Sequence, residues 1–67
     1  SARMAWAMER MSESPALPIE LRQEAAHLAA EDRANFAKGI GTVDAHARLS
    51  TTGARIIEQA RAYIDGQ

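Results

Sequence analysis

The apolar residues of this chain recur at the spacing of α-helices, and proline and glycine divide them into three stretches. Alanine is frequent, β-branched residues are sparse, and no alternating strand pattern is present. The pattern therefore predicts an all-α fold in a single domain. The expected domain is residues 1–67, with helices over about 3–12, 19–38 and 43–65 and a linker over 12–18. Two prolines in the linker forbid continuation of the first helix.

The first helix has two different faces. Met4, Met8 and Met11 are spaced i, i+4 and i+7, which places them on one side of the helix. Trp6 lies about 200° from Met4, between two arginines on the opposite side. A methionine stripe suits a core or an adaptable binding surface, and a tryptophan near a chain end suits a protein interface better than nucleic acid.

The second helix carries an apolar stripe that one acidic residue interrupts. The stripe consists of Leu21, Ala25, Leu28, Ala29, Phe36 and Ile40. Asp32 falls within it, and an unpaired carboxylate is costly to bury. We expect one continuous helix with Asp32 at the edge of the core, and the alternative is a break at which Asp32 caps a shorter helix.

The third helix carries the strongest apolar stripe. One face contains His46, Leu49, Gly53, Ile56, Ile57, Ala60 and Ile64. Thr42 is a suitable N-cap, and Gly66 is a suitable stop signal. The run from Ser50 to Gly53 favours a break as much as continuity, so four helical segments are an open alternative to three.

Composition indicates that this chain gains from a partner. A 67-residue chain is close to the lower limit for independent folding, and the absence of cysteine excludes disulfides and thiolate zinc sites. Self-association, as in a helical-bundle oligomer, or a partner protein is the expected source of further stability. The net charge of −1 disfavours general nucleic-acid binding. No stretch approaches the roughly 18 apolar residues of a membrane span, so we expect no membrane insertion and a cytoplasmic location.

Four residues of the second helix are the candidates for a metal site. They are Glu20, Glu24, His27 and Glu31, spaced i, i+4, i+7 and i+11. Glu24 and His27 match the Glu-x-x-His pattern with which di-iron helical bundles bind metal. The stripe points largely away from the apolar face of its helix, which favours a solvated acidic surface over a metal site.

No catalytic or cofactor motif is present. His46 follows Asp44 by two residues, an arrangement that can orient an imidazole, but the nearby hydroxyl residues are typical helix caps. Neither a nucleophile elbow nor a glycine-rich phosphate loop occurs. We therefore expect neither an enzyme nor a bound cofactor.

The sequence best fits a small helical interaction or regulatory module that self-associates or docks on a partner protein. The residues expected to make the contacts are Met4, Trp6, Met8, Met11, Ile56, Ile57, Ala60, Tyr63 and Ile64. Residues 38–40, 44–45 and 48–50 together resemble a segment of some bacterial antitoxins. That resemblance implies a small DNA-associated regulator, which is one alternative. The acidic balance and the lack of a helix-turn-helix pattern weigh against it. The second alternative is a metal-binding helical bundle that uses Glu24 and His27.

Overall fold

A computed structural model of the chain describes residues 2–39 and 43–67. It contains three helices, α1 (Ala2–Ser12), α2 (Ile19–Ala37) and α3 (Val43–Asp65). No strand occurs in either described range. The prediction of an all-α domain with three helices is confirmed.

The helices form an elongated bundle in which α2 lies between the other two. The molecule measures 40 × 18 × 17 Å. The 23 residues of α3 account for about 35 Å of the long dimension at about 1.5 Å per residue. α1 packs mainly on α2 and meets α3 at few points. A short α1 beside a long α3 leaves part of the α3 surface uncovered.

α2 continues through Asp32 without a break. Asp32 is only 7% exposed. None of the buried side-chain oxygen and nitrogen atoms in the described ranges lacks a hydrogen-bond partner. Because Asp32 has an interaction partner, the core accepts its carboxylate inside a continuous helix.

α3 also runs through the hydroxyl-rich segment that begins at Ser50. The Thr51 hydroxyl donates to the Ala47 carbonyl at 2.9 Å, so it is satisfied within the helix instead of capping a new one. Gly53 is buried, and a Cβ atom there would lie 3.2 Å from the Sδ of Met4 and 3.6 Å from a methyl group of Leu28. The glycine therefore lets α1 and α2 approach α3 closely.

One core joins all three helices and the linker. Its buried members are Met8, Leu17, Leu21, Ala25, Leu28, Ala29, Leu49, Ile56 and Ala60, and Met4 and Met11 pack against them. The stripe predicted on α2 is wrong at one described position, since Phe36 is 84% exposed. Phe36 lies in the last turn of α2, and an 11-residue α1 cannot cover the full length of a 19-residue helix. Ile40, which was expected to extend the stripe, lies outside the described residues, as does Thr42, the expected cap.

α2 ends as a glycine stop predicts. Gly39 has a φ of +70°, in the left-handed region that glycine adopts without strain. The backbone N–H of Lys38 donates to the Ala34 carbonyl, and that of Gly39 donates to the Phe36 carbonyl. These bonds satisfy carbonyls of the last helical turn.

Candidate protein interaction surface

An open groove of about 630 Å³ runs between α2 and α3. Its floor is apolar and consists of Leu28, Leu49 and Ile56, all buried. Its walls carry the acidic stripe of α2 on one side and Arg48 and Arg55 of α3 on the other. We call it the α2–α3 groove.

Two ion pairs bridge the α2–α3 groove. Arg55 Nη2 lies 3.3 Å from Glu24 Oε2. Arg48 Nη2 lies 3.2 Å from Glu31 Oε1. Because Glu24 precedes Glu31 while Arg55 follows Arg48, the two helices run antiparallel. The two glutamates are seven residues apart on α2, and the two arginines are seven residues apart on α3. The charges therefore match one register of α2 against α3.

The α2–α3 groove contains all four candidate metal ligands on α2. Two of them, Glu24 and Glu31, are already paired with arginine. Within residues 2–39 and 43–67, no three histidine, cysteine, aspartate or glutamate side chains are grouped to hold a metal ion. The sequence contained the signal for the ion pairs, because Arg48 and Arg55 repeat at the same interval as Glu24 and Glu31.

A second groove, of about 570 Å³, lies on the other flank of α3. It is bounded by the end of α1, the linker and the C-terminal half of α3, and we call it the α1–α3 groove. Its apolar lining consists of Met11, Leu17, Ile57, Ala60 and Ile64, with Pro15 from the linker. Arg10 and Glu13 stand at its rim. Ile57 is 44% exposed and Ile64 is 55% exposed, so this groove presents aliphatic side chains to solvent.

The nine residues expected to make contacts fall into three groups. Met8 and Ile56 are fully buried in the core, and Ala60 is buried at the floor of the α1–α3 groove. Met4 and Met11 are partly buried against that core. The exposed members are Trp6, Ile57, Tyr63 and Ile64.

The four exposed members do not form one surface. Ile57 and Ile64 line the α1–α3 groove. Tyr63 lines a different recess, with Pro18 and Leu21 beside α2. Trp6 lies on the outer side of α1. The structure therefore brings together only the two isoleucines, with Met11 beside them.

The tryptophan of α1 already has a partner within the chain. Trp6 is 63% exposed, and the guanidinium carbon of Arg10 lies 5.9 Å from the centre of its ring. This distance allows a cation–π contact, which is weak at an exposed site. Arg3, the other arginine of this face, is exposed.

His46 is an exposed residue near the start of α3. Its Nε2 atom lies 3.5 Å from the Ser50 hydroxyl, a long contact at the limit of hydrogen bonding. The side chain of Asp44, which was expected to orient the imidazole, lies outside the described part of the structure. His46 was placed by periodicity on the apolar face of the third helix, but it lies in the first turn of α3 and faces solvent.

Comparisons of this chain with models of protein families, with curated proteins and with solved structures find no match. In the part of the chain that the structure describes, none of the helices combines the length and the apolar character that crossing a bilayer requires. The two grooves are therefore the features of the chain from which a function is inferred.

Proposed function

We propose that this chain is a small helical protein–protein interaction module that associates through the α1–α3 groove. The observation that carries the proposal is the pair Ile57 and Ile64, one heptad apart on α3 and both about half exposed. Exposed aliphatic side chains that line a groove with other apolar residues are typical of protein contact sites.

The charges of the chain support this choice over the DNA-associated alternative. Arg48 and Arg55, two of the three arginines that form the basic series of α3 with Arg61, pair with Glu31 and Glu24 within the chain. A phosphate backbone is bound by lysine and arginine side chains that are free to displace counterions. The same ion pairs occupy two of the candidate metal ligands, which favours the interaction module over a metal-binding bundle.

A photo-crosslinking amino acid at position 57, introduced in the native cell, tests the proposal. We expect covalent protein adducts from position 57, whether the captured protein is another copy of this chain or a different one. Adduct formation should fall when Ile64→Ser removes the neighbouring apolar side chain.

The chain offers a matched control in Ile19, which is 51% exposed and does not line the α1–α3 groove. A photo-crosslinker at position 19 should give few adducts, and Ile19→Ser should leave the adducts of position 57 unchanged. Equal adduct yields from positions 19 and 57, or none from position 57, would contradict the proposal.

A further inference from the structure

We infer that the occupant of the α1–α3 groove is the same groove of a second copy of this chain. The two α3 helices are antiparallel across a two-fold axis that passes beside Arg61. This inference rests on the proposed function and specifies the partner and the geometry of contact.

The spacing of the isoleucines makes the surface self-complementary. Ile57 and Ile64 lie symmetrically about a point between residues 60 and 61. In an antiparallel pair centred there, Ile57 packs on the partner subunit's Ile64, and Ile64 packs on the partner subunit's Ile57. A two-fold interface requires this reciprocity, in which one patch serves both copies.

The charges beside the isoleucines fit the same arrangement. Glu58 and Arg61 are exposed, and neither makes a side-chain ion pair with another described residue. At 100° per residue, Arg61 lies about 40° and Glu58 about 100° round α3 from Ile57, on the flank farther from the core. In an antiparallel pair this flank meets its own copy. Arg61 then lies within about 3 Å along the helix axis of the partner subunit's Glu58, because the rise is about 1.5 Å per residue. Two symmetric ion pairs result.

The elongated bundle leaves surface that a second copy can cover. The chain exposes 4756 Å², about 600 Å² more than the roughly 4,160 Å² expected of a compact monomer of 7.3 kDa. A specific dimer has to cover about that much area on each copy to reach the lower end of specific interfaces, about 1,200 Å² in total.

A second copy also supplies stability that this chain cannot gain from disulfides. The chain has no cysteine, and small domains without disulfides or metals gain stability from association. Because each copy supplies the interface, the stability gained by dimerisation requires no other protein. This stabilisation grows with protein concentration by mass action.

The absence of cysteine also permits a sharp test of the geometry. Arg61→Cys places a single thiol beside the expected axis, about 1.5 Å along the helix from the same thiol of the second copy. Cross-linking is done well above the Kd, because this variant also lacks the ion pairs of Arg61. Helices in contact lie about 8–10 Å apart, so a short bis-maleimide should join two such chains. Ala54→Cys is the matched control, because Ala54 is exposed on the same flank but should lie about 20 Å along the axis from its mate.

Charge reversal on the purified full chain tests the ion pairs. Sedimentation equilibrium should show a dimer whose Kd rises about tenfold in Arg61→Glu and in Glu58→Arg. Combining the two substitutions should restore the Kd, because the opposite charges again face each other. Ile57→Ser should raise the Kd further than either reversal, whereas Ile19→Ser should not change it.

A purified chain that remains monomeric at 100 µM, or Ala54→Cys joining as efficiently as Arg61→Cys, overturns the inference. Photo-crosslinks from position 57 to a different protein alone would then leave the proposed function standing with another partner. The absence of any adduct from position 57 would contradict both the proposed function and the dimer.

Discussion

The two flanks of α3 form grooves of similar size with opposite chemistry. On the α2 side, Arg48 and Arg55 face Glu31 and Glu24, so the charges are neutralised within the chain. On the α1 side, Ile57 and Ile64 stand at the surface with no described helix covering them fully. The α2–α3 groove thus pairs both of its arginines within the chain, whereas the α1–α3 groove leaves its two isoleucines half exposed.

The difference follows from the lengths of the helices. α2 has 19 residues and lies along most of the 23 residues of α3, whereas α1 has 11 residues and meets α3 only in part. Ile57 and Ile64 lie on a flank of α3 that α1 covers only in part, so both side chains stay about half exposed. Ile56 therefore packs in the core of the chain, and its neighbour Ile57 is the residue that we propose for association between chains.

Replacing Ile56 or Ile57 by alanine should give the largest contrast. Ile56 is 1% exposed and Ile57 is 44% exposed. Ile56→Ala should lower the free energy of unfolding by about 2–5 kcal/mol, enough to unfold much of so small a domain. Ile57→Ala should lower it by less than about 1 kcal/mol when the protein is dilute.

Chemical denaturation at two protein concentrations measures both effects. The loss in Ile56→Ala should be the same at each concentration, whereas the loss in Ile57→Ala should grow with concentration as association contributes. Similar losses in the two variants would remove the distinction between a core flank and a contact flank.

Gly53 tests how closely α1 must approach α3. Gly53→Val places a branched side chain against Met4 and Leu28, and we expect a loss of about 1–3 kcal/mol in the free energy of unfolding. Gly53→Ala adds one methyl group, and the flexible end of Met4 can move by the few tenths of an ångström required. The gain in helix propensity, about 1 kcal/mol, should then leave this variant at least as stable as the original. Thermal unfolding of both variants measures the difference, and a loss in Gly53→Ala as large as that in Gly53→Val would contradict the close-approach argument.

The fold could be predicted from sequence because its signals are local. Proline and glycine mark the ends of the helices, and periodicity identifies Leu21, Leu28 and Ile56 as core. Sequence alone left two possibilities at Asp32 and at Ser50, a continuous helix or a break. The outcome depends on whether a carboxylate and hydroxyl groups find polar partners inside the helix. Local sequence does not show whether such partners exist.

The candidate surface was predicted only in part, because burial depends on which helix covers which. A stripe on α3 does not show that Ile56 points into the core while Ile57 reaches the surface. Phe36 fits the periodicity of α2 but lies in its last turn, where the shorter α1 does not cover it. Ile57 lies about 100° round α3 from Ile56, so only the packing of the helices shows that it reaches the rim of a groove beside Met11 instead of the core.

The ion pairs of the α2–α3 groove should contribute the smallest effect. Their side chains are between 35% and 69% exposed, so water screens the charges. A double-mutant cycle on Glu24→Gln and Arg55→Gln should give a coupling of about 0.2–1 kcal/mol, measured by urea denaturation. The coupling should fall towards zero in about 1 M salt, where the screening length is about 3 Å.

A mismatched cycle on Glu24 and Arg48 should give no coupling in either buffer, because those residues lie one heptad apart across the groove. A large coupling that survives salt would mean that the α2–α3 groove closes around its charges, and the contrast between the two flanks would then be one of burial as well as of charge.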